Sequence, residues 1–331
     1  MRAQFRFWLL RLALLFVTVA PAFANDADQT NANKAAPVVH ATPAMWVVHG
    51  PRGTAYLLGS VHALPKNIEW QTPAIKAAIK SANAFVFEVP MAEDSRSRAA
   101  LLFGVNELLP PSVSLPSYFD EEMRNEFRAA VEHTQVDPEG LVVLRPWRAA
   151  QILDGAMSGK IVLESQEGVD NKVYAMASAR GVRDIRAFET HEFQLHLIKG
   201  KADTKNELAL LRDAMKRAAN KPLLPFKKLL DAWENGDPAA IAAVSVATMS
   251  PEEKKSYLDD RNQSWIPKIE KMLKEKRTFL ITVGAAHLAG PNGVPNLLRQ
   301  AGYKVDGPDV GGEAAVTKPS SKSQAVARIV K

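Results

Sequence analysis

Two histidines stand in the same local pattern, in which a glycine precedes the histidine by three positions. His62 lies in residues 59–62 (GSVH) and His287 in residues 284–287 (GAAH), while Glu88 ends a further apolar run. Each pattern follows a short apolar run typical of a buried strand, and its glycine lets the backbone turn tightly off the strand. Two imidazoles and a carboxylate form a workable site for a divalent metal, which lowers the pKa of bound water and polarises a carbonyl. The alternative is that each histidine is a structural residue, because so short a pattern also occurs by chance.

The apolar runs beside these residues alternate with a helical pattern. Residues 55–58 and 84–87 have the composition of buried strands, and residues 72–81 between them have the spacing of an amphipathic helix. A strand, a helix and a strand in this order predict a βαβ unit with two parallel strands. Parallel strands end at one edge of a sheet, where open α/β sheets place their ligands, so His62 and Glu88 are expected to share that edge.

Further strand and helix signals continue this alternation along the chain. The predicted strands are residues 182–188, 278–283 and 303–305, and the predicted helices are residues 168–179 and 292–301. The stretches that look largely helical, as caps on the sheet or as a helical insertion, are residues 119–133, 145–157 and 202–277. These signals predict an α/β fold with a mixed, mainly parallel sheet, two pseudo-repeated Gly-x-x-His strand–loop units and a large helical portion.

Four more polar residues are candidates for a structural or a catalytic role. Arg261 and Asn262 lie in residues 259–265 (DDRNQSW), and pattern alone favours a solvated helix face on which Arg261 pairs with a neighbouring acid. Asp170 stands where a helix is expected to begin and is typical of a cap. Glu189 follows the strand predicted at 182–188 and is a second candidate, beside Glu88, for a general base.

The first 24 residues have the three parts of a secretory signal. They contain three arginines, an uncharged apolar run at residues 12–20 and a small-x-small cleavage site at residues 22–24. The alternative, a membrane anchor, needs about 20 apolar residues, so the sequence predicts a cleaved signal peptide and a protein that is periplasmic or secreted, with no transmembrane segment after cleavage. Residues 25–45 are interpreted as a flexible leader and residues 313–331 as a disordered tail.

Charge and cysteine content exclude several classes of function. The net charge is +6, but three of the positive charges lie in residues 1–24 and four in residues 314–331, which leaves −1 for residues 25–313. A nearly neutral folded part gives no support for a nucleic-acid-binding face. The chain has no cysteine, which excludes disulfides, thiolate metal ligands and a cysteine nucleophile.

The motifs together resemble the TraB/GumN family, which also includes the Tiki proteases. Residues 56–65 (YLLGSVHALP) resemble the family's first signature, and the motifs that follow in the family's order are residues 87–89 (FEV), 145–147 (RPW), 168–170 (GVD), 188–190 (FET), 261–262 (RN) and 283–290 (VGAAHLAG). The resemblance covers residues 46–308, and residues 46–312 are interpreted as one TraB/GumN-like domain. One departure is Asp260, which stands where the family commonly has a glutamate before the Arg-Asn pair.

The resemblance implies that the two Gly-x-x-His loops surround one site. In the Tiki branch such histidines, with a glutamate matching Glu88 and an arginine matching Arg261, support metal-dependent proteolysis. A divalent ion (manganese, cobalt or zinc) is therefore expected on His62, His287 and Glu88.

The resemblance also places Arg261 and Asn262 among the catalytic residues, with Glu189 as the spare carboxylate. Glu88 is expected either as the third metal ligand or as the general base, with its pKa raised toward neutrality by burial. Arg261 is expected either to hold Glu88 or to stabilise charge that develops on a substrate oxygen.

Three functions are compatible with these residues. The first is a metal-dependent, peptidase-like hydrolase that acts on a peptide or another amide-type substrate in the cell envelope. The second is an envelope protein that binds a ligand in the same cleft without turnover. The third is an accessory protein of polysaccharide biosynthesis that acts through protein partners, because GumN-type members sit near exopolysaccharide genes.

Overall fold

The computed structural model describes residues 37–91, 107–156, 164–199, 204–220, 224–246, 249 and 251–309. The predicted signal peptide and the predicted tail lie outside the described residues. Within the described part of the chain, no helix is long and apolar enough to cross a membrane.

A six-stranded sheet forms the centre of the fold. Its strands, in spatial order, are β6 (Ile185–Ala187), β5 (Ala84–Phe87), β7 (Thr278–Gly284), β3 (Thr54–Ser60), β2 (Met45–His49) and β8 (Lys304–Asp306). The pairs β6–β5, β5–β7 and β7–β3 are parallel, whereas β2 is antiparallel to both β3 and β8. The predicted mixed, mainly parallel sheet is therefore confirmed.

The last long strand, β7, lies between the two strands of the first predicted βαβ unit. β3 and β5 are parallel as expected, but each pairs with β7 and they do not pair with each other. The register places Ser60 opposite Gly284 and Phe87 opposite Thr282. As a result, the loops that carry the two histidines leave neighbouring strands at the same edge of the sheet.

Helices and turns occupy most of the remaining described residues. The helices are α1 (Pro73–Ser81), α2 (Glu121–Thr134), α3 (Pro138–Val142), α4 (Pro146–Ala156), α5 (Val169–Ala179), α6 (His191–Lys199), α7 (Thr204–Asn220), α8 (Leu224–Glu234), α9 (Pro238–Val246), α10 (Pro251–Lys254), α11 (Asp260–Leu273) and α12 (Val294–Gln300). Short 3₁₀ turns cover Leu115–Tyr118, Ser165–Glu167 and Ala285–Leu288, and a π-helical turn covers Lys255–Asp259.

The first helix shows how local sequence fixes these elements. Thr72 caps α1 by accepting a hydrogen bond from the backbone N–H of Ile75, and Pro73 occupies the first helical position, where its missing N–H costs nothing. Ile75, Ala78 and Ile79 are buried because they share one face of the helix. The helix therefore packs on the sheet through this face. In sequence it lies between β3 and β5, as predicted.

Apolar clusters lie on both faces of the sheet, with a third among the helices. Leu58 and Phe85 belong to one cluster, whereas their chain neighbours Leu57 and Val86 belong to another, because successive strand residues point to opposite faces. The first cluster includes side chains of α1, α5, α8 and α9, and the second includes side chains of α11 and α12. The third cluster joins α2, α4 and α7 around buried residues such as Leu153. The helical stretches thus act in both expected ways, as caps on the sheet and as a helical insertion with its own core.

The predicted flexible leader, residues 25–45, differs from the structure at its end. Val39–His40 forms strand β1, which pairs in parallel with β4 (Ile68–Glu69), and Ala41 is buried. Strand β2 begins at Met45 and was not among the predicted strands. These residues form a strand because apolar and exposed positions alternate along them, so that Trp46 and Val48 are buried against the core.

Candidate active site

His62 is held by a carboxylate from another element. Its Nδ1 atom lies 2.5 Å from Oδ2 of Asp170, which also accepts a hydrogen bond from the Ser60 hydroxyl. Asp170 stands in the first turn of α5, and the N–H of Val169 donates to the carbonyl oxygen of Val61 at 3.0 Å. This backbone bond ties the histidine loop to the start of α5. Asp170 therefore orients His62 and is not the helix cap that its position suggested, because Gly168 is the N-cap residue and receives no side-chain cap.

The environment of His62 favours its charged form. Burial alone would lower the pKa of His62, but the charge and hydrogen bond of Asp170 and the charge of Glu88 outweigh it and raise the pKa to about 9. Its side chain is 21% exposed, so solvent and small molecules reach it. Within the described residues, no hydrogen bond is made by its Nε2 atom, which is the free end of the Asp170–His62 pair.

Two glutamates lie side by side at the ends of β5 and β6. The parallel pairing continues past both strands, because the N–H of Glu189 donates to the carbonyl oxygen of Glu88 at 2.8 Å. Both side chains are buried, with exposed fractions of 6% and 5%. Gln194 of α6 donates from Nε2 to Oε2 of Glu88 (3.3 Å) and to Oε2 of Glu189 (3.1 Å). Two buried carboxylates this close require a counter-charge.

Arg261 supplies that charge. Its Nε donates to Oε1 of Glu189 (2.7 Å), and its Nη2 donates to Oε2 of Glu189 (2.8 Å) and to Oε2 of Glu88 (2.7 Å). Its Nη1 donates to the carbonyl oxygen of Tyr257 (3.1 Å) and to Nε2 of His287 (2.9 Å). A guanidinium has five N–H groups, so every donor of Arg261 is used within the protein. Of the two expected roles, the contacts match the one in which Arg261 holds Glu88.

A π-helical turn sets the position of Arg261. Lys255–Asp259 forms this turn immediately before α11, and its Tyr257 supplies the carbonyl oxygen that accepts from Arg261. Such turns are rare and frequently occur at functional sites. Arg261 and Asn262 are both buried on the inner face of α11, contrary to the solvated face that pattern alone favoured.

His287 is neutral and fixed in one tautomer. Because Arg261 can only donate, Nε2 of His287 is the acceptor, and its Nδ1 carries the proton that it shares with Oδ1 of Asn262 at 2.6 Å. Nδ2 of Asn262 donates to the carbonyl oxygen of Asn292, which fixes the amide orientation. Burial and the charge of Arg261 lower the pKa of His287 to about 3. Its ring packs against Trp265 with 4.5 Å between centroids.

The three side chains expected as metal ligands converge beside Gly284. A Cβ atom at this glycine would lie 3.0 Å from Oε1 of Glu88, 3.5 Å from Cδ2 of His287 and 4.0 Å from Nε2 of His62. The backbone N–H of Gly284 donates to Oε1 of Glu88 at 2.5 Å. Any larger residue would press on the Glu88 carboxylate, so glycine leaves the space around which the site is built.

The pKa of Glu88 differs from the expected rise toward neutrality. Burial alone would raise it, but the positive charges of Arg261 and His62 and the N–H of Gly284 hold the pKa well below its ordinary value. Glu88 is therefore a permanent carboxylate, which makes it a poor general base and a strong source of negative charge.

The arrangement does not fit one divalent ion bound by His62, His287 and Glu88. His287 turns a ring carbon toward the shared space, and its Nε2 lone pair accepts the N–H of Arg261. Among the described residues, no group of three or more His, Asp or Glu side chains is placed to hold a metal ion. Binding of manganese, cobalt or zinc remains a prediction that would require Arg261 to move.

Six residues chosen from the sequence come together in this one cluster: His62, Glu88, Glu189, Arg261, Asn262 and His287. Sequence reasoning did not assign a site role to Asp170, Ser60 or Gln194. The motif at residues 168–170 was a signal for Asp170, because it belongs to the family pattern. Gln194 carried no signal, because it lies in an ordinary amphipathic helix.

Comparisons with known proteins agree with the motifs. The sequence profile of the TraB/PrgY/gumN family matches residues 44–307. The uncharacterized protein YbaP of Shigella flexneri is 22% identical over 245 residues, which are 74% of this chain and 88% of that protein. The uncharacterized protein YbaP of Escherichia coli (strain K12) is 22% identical over 244 residues, which are 74% of this chain and 87% of that protein. No solved structure matches the chain. Because the family profile extends over most of its length, this chain belongs to the TraB/PrgY/gumN family.

Proposed function

We propose that the protein is a hydrolase that cleaves a peptide or another amide-type bond in the cell envelope. The observation that carries this proposal is the Asp170–His62 pair, in which Nδ1 is bound at 2.5 Å and Nε2 opens toward Gly284 and Glu88. A histidine held in this way by a carboxylate is suited to transfer protons. His62 is also more exposed than the buried Glu88 and His287, so it is the member of the cluster that a substrate meets.

In the proposed reaction His62 carries one proton back and forth. The neutral form, a minority at neutral pH, holds a proton on Nδ1 against Asp170 and a lone pair on Nε2. A water molecule attacks the carbonyl carbon of the scissile bond, and its proton passes to Nε2. The imidazolium then gives that proton to the leaving nitrogen as the C–N bond breaks. The products are a carboxylic acid and an amine.

Glu88 assists this reaction through its charge. Its carboxylate and that of Asp170 both raise the pKa of His62, so both stabilise the imidazolium that forms during water attack. Arg261 has no N–H left for a substrate, and it acts as a positioning residue that fixes the Glu88 and Glu189 carboxylates. Asn262 positions His287 in the same manner.

The proposed location follows from the first 24 residues. Their arginines, apolar run and cleavage site support export to the periplasm or beyond the cell, where peptides and other amides would be the substrates.

The test is cleavage of a diverse peptide library by the purified protein, with the products identified by mass spectrometry. His62→Ala should lower the rate by roughly 10²–10⁴-fold, the usual contribution of a positioned general base. His49→Ala is the matched control, because His49 also pairs with an aspartate, Asp306, at 2.7 Å but lies at the exposed β2–β8 pairing. A ligand retained by the site with no cleavage by the wild-type protein would instead favour a binding protein or a polysaccharide-biosynthesis accessory protein.

A further inference from the structure

Arg261 already binds atoms of Glu88 and His287 that a metal ion in this site would need. Its side chain is 2% exposed. Its guanidinium contacts Oε2 of Glu88, both carboxylate oxygens of Glu189 and Nε2 of His287. A divalent ion and an arginine fill the same need here, since each is a positive group that neutralises two buried carboxylates.

We infer that Arg261 is the built-in cation of this site and that the native protein has no divalent ion on His62, His287 and Glu88. The guanidinium only donates, so its bond to Nε2 of His287 uses the lone pair that a metal would require. A divalent ion at the shared space would also stand beside a permanent positive charge in a buried site, where like charges strongly oppose each other.

Arg261 is held too firmly to swing aside for an ion. Its Nη1 is bound to the Tyr257 carbonyl oxygen of the π-helical turn, and its guanidinium carbon lies 5.2 Å from the centre of the Trp265 ring. The same Trp265 donates from Nε1 to Oε1 of Glu189 at 3.0 Å. The acceptors around Arg261 lie at the ends of strands and in helical turns, and these elements hold them in place. Their positions favour a single position for the guanidinium.

This inference rests on the proposed function for the identity of the site, but its test needs no turnover. The full chain is equilibrated with manganese, cobalt or zinc in turn, dialysed, and analysed for metal content by atomic emission spectroscopy. We expect no stoichiometric metal in the wild-type protein. A stoichiometric ion that His287→Ala releases would overturn the inference. Absence of peptide cleavage would count against the hydrolase alone, so the two failures are distinguishable.

A substitution of Arg261 gives the complementary result. Arg261→Met keeps a stem of similar length, removes the charge and frees the carboxylates and Nε2 of His287. Titration calorimetry should show this variant binding the same ions about 100-fold or more tighter than the wild-type protein, because the opposing like charge is gone. The bound ion should also raise its melting temperature, whereas the wild-type protein should show no such shift.

The matched control is Arg186→Met. Arg186 also bridges two carboxylates, those of Asp184 and Glu275, but no histidine lies in that cluster. Its removal should produce no comparable gain in metal affinity. A folded Arg261→Met variant, verified by circular dichroism, that binds ions no better than the wild-type protein would contradict the inference. Where the variant fails to fold, the metal content of the wild-type protein decides.

Discussion

His62 and His287 stand in the same four-residue pattern, yet their surroundings give them different charge states. His62 faces Asp170 and Glu88, and its pKa is raised to about 9 although burial by itself would lower it. His287 is more deeply buried and faces Arg261, and its pKa is lowered to about 3. At neutral pH one ring is therefore an imidazolium and the other a neutral imidazole. In the proposed reaction His62 therefore contacts the substrate, whereas His287 forms hydrogen bonds within the protein.

The role of Asp170 can be tested by Asp170→Asn. The amide keeps the size of the side chain but loses its charge, so Nδ1 of His62 is no longer reliably the protonated atom and the imidazolium is no longer stabilised. We expect peptide cleavage to fall by roughly 10²–10⁴-fold while the protein remains folded. Initial rates, with melting temperature as the measure of folding, check this.

Asp306→Asn is the control for that substitution, because it changes the carboxylate of the exposed His49–Asp306 pair in the same way. A cleavage rate that falls equally in both variants, or in neither, would show that Asp170 has only a structural role.

At the scale of elements, the position of β7 assembles the site. β7 brings Gly284 and His287 between the strands that end at Ser60 and Phe87. The π-helical turn and α11 then place Arg261 at this edge, and α5 places Asp170 there. Each charged group thus comes from a different element, so the order of strands and helices controls the chemistry more than any one loop does.

A second ion cluster joins β6 to β7 at the opposite edge, where these strands begin. Arg186 of β6 donates to both carboxylate oxygens of Asp184 and of Glu275, and Arg277 contacts Asp184 as well. Hydrogen bonds from Arg186 are the main cause that lowers the pKa of both carboxyls from their ordinary values of 3.8 and 4.5. Lowered values mean that the folded state favours the ionised forms.

This cluster predicts a pH dependence of stability. Its contribution is complete above about pH 5 and is lost as the pH falls through the carboxyl pKa values of the folded protein, because the unfolded state binds more protons. The groups are partly exposed, so the effect on the free energy of unfolding should be about 1 kcal/mol or less. Urea unfolding of the wild-type protein and of Arg186→Gln, compared at neutral and acidic pH, measures it. If the free energy of unfolding falls equally in both proteins at acidic pH, this cluster is not the cause.

At the scale of the whole molecule, a sheet covered on both faces is combined with helices that have their own apolar core. Buried residues of α2, α4 and α7, such as Leu153 and Leu211, contact one another rather than the sheet. Two ion pairs lie in the same region: a buried pair between Arg217 and Asp154 (2.8 Å) and a partly buried pair between Arg145 and Glu207. Through the Arg145–Glu207 pair, the motif at residues 145–147 contributes to the helical insertion.

Export of the protein is a further prediction at this scale. Residues 1–30 fused to a reporter enzyme should carry it across the inner membrane, with cleavage after Ala24, because the segment has a positive start, a short apolar run and a small-x-small site. N-terminal sequencing of the exported product measures this. An intact Met1 on a reporter that stays with the membrane would support an anchor instead.

The candidate residues and most of the local elements beside them could be predicted from the amino-acid sequence. Apolar runs that end in a glycine or a glutamate located β3, β5 and β7 closely, because buried parallel strands are short, continuous and apolar. The same runs identified His62, Glu88 and His287 as polar residues at strand ends. Strand β2 was missed, because its alternation is short and lies at the mainly antiparallel side of the sheet.

Contacts between these groups depend on how the chain folds and could not be predicted from the sequence. Arg261 and Glu88 are 173 positions apart in the sequence and in contact at 2.7 Å, which depends on the strand order and on the π-helical turn. The direction in which the pKa of Glu88 shifts also depends on the folded contacts. Burial raises this pKa and nearby positive charge lowers it, and only the contacts show which effect is larger. Residue types are local properties of a chain, whereas charge states depend on neighbours that folding brings from distant segments.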